Sequence, residues 1–227
     1  MTARRRPITL LVAAGIVFLV LMGLGGWQVQ RLAWKTDLIA RVDARVAADP
    51  VPAPPPSDWA GLTAENAEYR RVIVGGEYRP DSDVLVQAVT ERGAGFWVMT
   101  PLVTDEGWTV LVNRGFVAAD RRDDRPLPQG PQSVTGLLRL TQPDGAFLRA
   151  NDPQAGRWYS RDTRAIAASL DLPEVAPYFI DADRAGEGQP IGGLTVIAFR
   201  NHHLSYALTW FVMAGGLVVL TIYALRR

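Results

Sequence analysis

Asn201-His202-His203-Leu204-Ser205-Tyr206-Ala207-Leu208-Thr209-Trp210 holds both histidines of the 227-residue chain and opens an uncharged run that continues to Leu225. From Leu204 to Leu225 the run is 22 residues long, or about 33 Å at 1.5 Å per helical residue, enough to cross a hydrocarbon core of about 30 Å. A membrane helix is therefore predicted over 204–225. Residues three, four and seven apart share a helical face, which puts His203, Tyr206, Ala207 and Trp210 on one stripe at the mouth of this span.

A second uncharged run, Ile8 to Gly26, reaches about 28 Å. A cleaved signal peptide is the alternative, but its apolar region is usually about 7–15 residues. The longer run favours a retained span over 8–26. Arg4, Arg5 and Arg6 precede the first span and Arg226 and Arg227 follow the second, and cytoplasmic flanks collect such charge. Residues 1–7 and 226–227 are accordingly expected in the cytoplasm, with 27–203 outside, in a periplasm or its equivalent.

Between the spans lie 19 cations and all 23 acids, a net of −4 where the whole chain carries +1. Such a domain is a poor nucleic-acid binder. The absence of cysteine excludes disulfides, thiolate metal sites, a Cys-X-X-Cys redox pair and covalent haem attachment. With one lysine, Lys35, and both histidines at the membrane edge, the domain lacks the usual bases for a serine nucleophile. Carboxylates are plentiful, yet no spacing singles out a hydrolytic pair, so a non-enzymatic role is expected.

Beyond the first span, Trp34, Leu38, Val42 and Val46 continue an i, i+4 stripe, which predicts that the helix runs on to about residue 48. Five prolines in 50–56 then read as an extended, semi-rigid connector. From Tyr69 the texture is that of strands: Arg71 to Tyr78, Val84 to Thr90, Phe96 to Val103, Trp108 to Asn113, Ser133 to Leu140, Val175 to Ile180 and Leu194 to Phe199. Thr104-Asp105-Glu106-Gly107 reads as a hairpin turn, and Asp162 to Leu170 as a helix with Ser160 as a candidate cap. Asn113-Arg114-Gly115 reads as a strand end, and Arg121 to Arg125 as a solvated charge cluster. The expected class is α+β, two transmembrane helices flanking one mainly antiparallel β outer domain, with a partly closed barrel as one form of it.

The membrane edge is the richest place for chemistry. Trp27, Arg31 and Trp34 fall at i, i+4 and i+7 on the first helix, opposite the His203, Tyr206 and Trp210 stripe on the second. One reading is an aromatic belt with an interfacial arginine. The other is a haem site, in which a neutral imidazole ligates iron and Arg31 or Arg200 meets the propionates. His202 and His203 point about 100° apart on a regular helix, so only one of them can ligate a given iron.

Four stretches resemble the surfeit locus protein 1 family: Leu24-Gly25-Gly26-Trp27-Gln28-Val29-Gln30-Arg31-Leu32-Ala33-Trp34-Lys35, Val110-Leu111-Val112-Asn113-Arg114-Gly115-Phe116-Val117, Asn151-Asp152-Pro153 with Trp158-Tyr159, and Asn201 to Trp210. They stand in the family's order and cover the chain end to end. Phe116 stands where Trp is frequent in the family, and His202 where Asn is frequent. The resemblance implies a non-enzymatic assembly factor for haem-copper oxidases, with the catalytic subunit and haem a synthase as partners. It further implies non-covalent haem a bound by the second-span histidine, here His203, with Tyr206, Trp210, Trp27 and Arg31 around it. The alternative is a cofactor-free scaffold that stabilises an oxidase subunit.

Overall fold

The computed structural model describes residues 5–143, 149–183, 188, 190–195, 197, 199 and 201–226. It divides into two compact units, one of residues 1–41 with 197–227 and one of residues 42–196. The fold class is the expected one: long apolar helices at both ends flank a β-rich domain.

The first unit is built from α1 (Arg5–Ala47) as far as Arg41 and from α3 (His203–Arg226). Both helices are long and apolar enough to cross a membrane, and their most apolar stretches are almost wholly unburied within the protein. Ile8, Val12, Ile16, Leu19 and Val20 on α1, and Val212, Val219 and Leu220 on α3, point outward. A continuous apolar surface of this size needs lipid or a partner to cover it.

The second unit is a sheet closed on itself. It contains β1 (Val51–Pro52), β2 (Arg71–Tyr78), β3 (Val84–Thr90), β4 (Gly93–Thr104), β5 (Thr109–Ala118), β6 (Gln132–Leu140) and β7 (Val175–Ala182), with the short helix α2 (Thr163–Ser169). The strand order is β1-β2-β6-β7-β5-β4-β3, and a further β2–β4 pairing (Gly76 to Tyr78 against Leu102 to Thr104) closes β2, β6, β7, β5 and β4 into a five-stranded ring. The expected partial closure is thus complete for five strands. Two pairings are parallel, β1 with β2 and β5 with β7, and the rest are antiparallel.

Period-2 alternation turns Val72 and Val74, Val110 and Val112, and Ala176, Tyr178 and Ile180 into one core with Trp108 and Leu138. The opposite faces of β5 and β7, through Leu111 and Phe179, pack with Met99 of β4, Val86 of β3, Trp158 and Ile166 of α2. Both faces of β5 are covered. That is why Val110 to Val112 and Phe116 to Ala118 are apolar at consecutive positions, and why Asn113 and Arg114 between them are buried with polar partners.

Several expectations are corrected. Residues 50–56 are no free connector: β1 pairs with Val72 and Ile73, Ala53 N–H donates to Ile73 at 3.0 Å, and the Pro54 carbonyl accepts from Trp59 Nε1 (3.0 Å) and Tyr178 Oη (2.8 Å). Prolines suit this place because an edge strand can spare the N–H groups they lack. The α2 cap is Asp162, whose Oδ1 accepts from the Arg164 and Ala165 amides, while Ser160 accepts from Asn151 Nδ2 at 2.7 Å.

Asn113-Arg114-Gly115 lies within β5 and not at its end. Gly115 adopts φ +133° where the Ile191 backbone approaches, and Phe116 and Ile191 exchange N–H···O bonds of 2.9 Å in both directions. The expected strand over 194–199 is absent among its described residues, Leu194, Thr195, Ile197 and Phe199; the pairing there reduces to the Ile191 bridge. The charge cluster at 121–125 is only partly solvated, because Arg125 Nε lies 3.3 Å from Asp83, which also receives Arg114 Nη2 at 3.0 Å.

Candidate functional site

Within the first unit α1 and α3 run antiparallel. Going outward along α1, Gly25 meets Phe211, Gln28 meets His203 and Lys35 meets Phe199, so the partners on the other side fall in number as those on α1 rise. The packed stripe of α1 is Leu21, Gly25, Gln28, Leu32 and Lys35, spaced by alternating four and three residues, and that of α3 is His203, Ala207, Trp210 and Ala214. Close approach is possible because Gly25 has no side chain: a Cβ there would sit 2.5 Å from the Phe211 ring.

At the outer end of this seam His203 Nδ1 lies 2.7 Å from Gln28 Oε1. A carboxamide oxygen can only accept, so this pairing calls for a proton on Nδ1, as the Nδ1–H tautomer or the doubly protonated ring supplies. A neutral imidazole has one N–H, which leaves Nε2 with its lone pair. Two residues before it in the chain, Asn201 Oδ1 is buried and makes no hydrogen bond among the described residues. Lys35 Nζ stands 4.9 Å from the Phe199 ring centroid, two turns outward from Gln28 on the same face.

Trp210 shares the inner stripe with His203, half-buried, whereas Tyr206 sits at the edge of that stripe and is 57% exposed. Trp27 and Arg31 lie on a more exposed part of α1 than Gln28. Trp27 points about 100° round α1 from Gln28 and is 51% exposed, and Arg31 stacks over the equally outward Trp34 at 4.5 Å. Gln28 is the α1 side chain hydrogen-bonded to His203.

Gln28 is the residue that sequence reasoning missed. Its signal was present: it is the one strongly polar side chain on the Leu21, Gly25, Gln28, Leu32 stripe. His202 is exposed at the helix entry, where its carbonyl accepts from Ser205 Oγ at 2.7 Å, and Arg200 lies outside the described residues. Among the described residues there is no group of three or more His, Asp or Glu that could hold a bare metal ion.

The barrel carries a separate polar centre. The Asp181 carboxylate is 3% exposed and accepts from Asn113 Nδ2 (2.7 Å), Arg139 Nη1 (3.1 Å), Arg161 Nη1 (3.2 Å) and Thr195 Oγ1 (2.9 Å). Arg139 also pairs with Glu68 at 2.7 Å. Burial pulls the Arg161 guanidinium below its ordinary range, against the opposing pull of Asp181. For Arg139 burial acts in the same direction, but Asp181 and Glu68 outweigh it and hold the group above its ordinary value. The centre is fully partnered and reads as the tie of the barrel.

Fold and site together define a membrane protein with a terminal pair of apolar helices, a β-barrel domain between them, and an oriented histidine on the helix seam. The SURF1 family model matches residues 15–215. Surfeit locus protein 1 of Mus musculus is 36% identical over 218 residues, covering 86% of this chain and 68% of its own. That of Homo sapiens is 35% identical over 219 residues, with 86% and 70% covered. The SURF1-like protein of Monosiga brevicollis is 32% identical over 226 residues, with 92% and 84% covered. The chain belongs to the SURF1 family, a family of cytochrome oxidase assembly factors.

Proposed function

We propose that this protein is a two-span assembly factor that binds haem a non-covalently at His203 and presents it to the catalytic subunit of a haem-copper oxidase. The observation that carries the reading is the His203–Gln28 pair, which engages Nδ1 at 2.7 Å and leaves Nε2 as the ring nitrogen for a ligand. Haem a is cargo here, and its iron chemistry is exercised in the oxidase that receives it. The donor set fits it: one imidazole, Trp210 on the same stripe, a buried Asn201 oxygen open to a hydrogen bond, and the Lys35 cation two turns further along α1. His202, exposed and outside α3, would leave His203 as the imidazole that holds the iron.

The same reading puts the protein in a bacterial inner membrane with both termini cytoplasmic and the barrel periplasmic, supported by the arginine flanks. Haem a synthase is the natural donor and the oxidase catalytic subunit the acceptor. The test is purification after expression with haem A supplied. A haem spectrum that disappears in His203→Ala is expected, and a spectrum indifferent to that change refutes the ligand role. Copurification of an oxidase subunit that survives His203→Ala without any haem would favour a cofactor-free scaffold, for which the exposed Trp27, Arg31 and Trp34 face is the available surface.

A further inference from the structure

Gln28 sits where an apolar side chain would pack equally well. Its neighbours on the stripe, Leu21, Gly25 and Leu32, are apolar, and it is half-buried against α3. A buried carboxamide is costly unless bonded, and Gln28 Oε1 is bonded to one group, His203 Nδ1, at 2.7 Å. The nearby hydroxyls of α3 bond backward along their own helix: Ser205 Oγ to the His202 carbonyl at 2.7 Å and Thr209 Oγ1 to the Ser205 carbonyl at 2.9 Å. They do not compete for the carboxamide. One turn inward, the Gly25–Phe211 contact holds the helices at close range, which keeps the pair in register.

The geometry points to Gln28 as the positioning residue of the site: by accepting the Nδ1 proton it sets the tautomer and ring plane of His203 and so prepares Nε2 to donate to iron. The metal-facing half rests on the reading of His203 as the haem ligand. The tautomer half does not. Which ring nitrogen of a histidine is protonated is decided by the hydrogen bond the other makes, and outer partners of this kind alter metal affinity about 10–100-fold.

The chain has only two histidines, so His202→Asn leaves His203 as its sole imidazole and makes the test clean. The full chain in nanodiscs, labelled with 15N-histidine and free of haem, is expected to show a protonated Nδ1 and an unprotonated Nε2. Gln28→Leu should move the proton toward Nε2 while the thermal unfolding of the barrel stays unchanged. A protonated Nε2 in the parent, or a tautomer that ignores Gln28→Leu, overturns the proposal.

With haem A added, Gln28→Leu should weaken binding at least about 10-fold. Gln28→Glu keeps an acceptor of stronger pull, so it should retain binding and lower the midpoint potential by favouring ferric iron. Wild-type affinity and potential in both variants refute the metal-facing half. If His203→Ala binds haem A as the parent does, the ligand reading itself has failed, and the spectra of the haem-free protein alone decide what Gln28 does.

Discussion

Replacing Asp181 by Asn changes the side chain's volume very little and its chemistry severely. The carboxylate accepts from four donors at once, and two of them belong to the Arg139 and Arg161 guanidiniums, which are only 10% and 16% exposed. Arginine does not lose its proton, so neutralising Asp181 leaves two cations sharing a buried site with Glu68 as the nearest remaining anion. The new amide would also turn an N–H₂ group toward donors that need an acceptor.

Removing one partner of a buried ion pair costs about 3–5 kcal/mol. For a unit of residues 42–196, where each kcal/mol moves Tm by about 2–4 °C, the expected fall in Tm is about 6–20 °C. Thermal unfolding of the full chain in detergent, followed by near-UV circular dichroism, reads it directly, because Trp97, Trp108 and Trp158 pack in the barrel. Asp181→Asn combined with Arg161→Met should recover part of the loss, since one unpaired cation has gone. A Tm within about 3 °C of the parent, or strict additivity in the double variant, would refute the reasoning that Asp181 ties the barrel.

Burial pushes the Tyr78 phenol up to about 12 and raises that of Tyr178 as well, so the folded domain keeps phenol protons that the unfolded chain releases near pH 10. The unfolded state then binds fewer protons, and stability should fall between about pH 10 and 12, by about 1.4 kcal/mol per pH unit for each phenol. Urea unfolding across that range should show a shallower decline in Tyr78→Phe. Gly115→Ala puts a Cβ against the Ile191 backbone at a φ that side chains rarely adopt, with an expected cost of at least about 2 kcal/mol and a Tm lower by about 4–8 °C. Lys35→Gln should weaken haem A binding about 2–5-fold, as loss of a partly exposed charge contact does, while Arg31→Gln on the outward face should leave it within error; equal effects in a binding titration would show that the faces are misassigned.

Much of the protein was legible one element at a time. The strands Arg71–Tyr78 and Val84–Thr90 begin and end where their punctuation does, the Thr104 to Gly107 turn joins β4 to β5, and both long apolar helices stand where the uncharged runs are. Alternation, turn residues and apolar length are properties of a local stretch, so sequence carries them directly. The motifs around Trp27, Asn113 and His203 likewise identified the family.

What escaped depends on how distant stretches are turned toward one another. The Asp181 centre draws on residues 68, 113, 139, 161 and 195, and no window of sequence contains them together. The 50–56 segment reads as a linker until β2 and Tyr178 receive it. Periodicity tells which residues of a helix share a face, but not which of its faces meets the other helix, because that angle is set by packing of both. Sequence alone therefore marked His203 and its family. Only the tertiary structure decided that Gln28 bonds it.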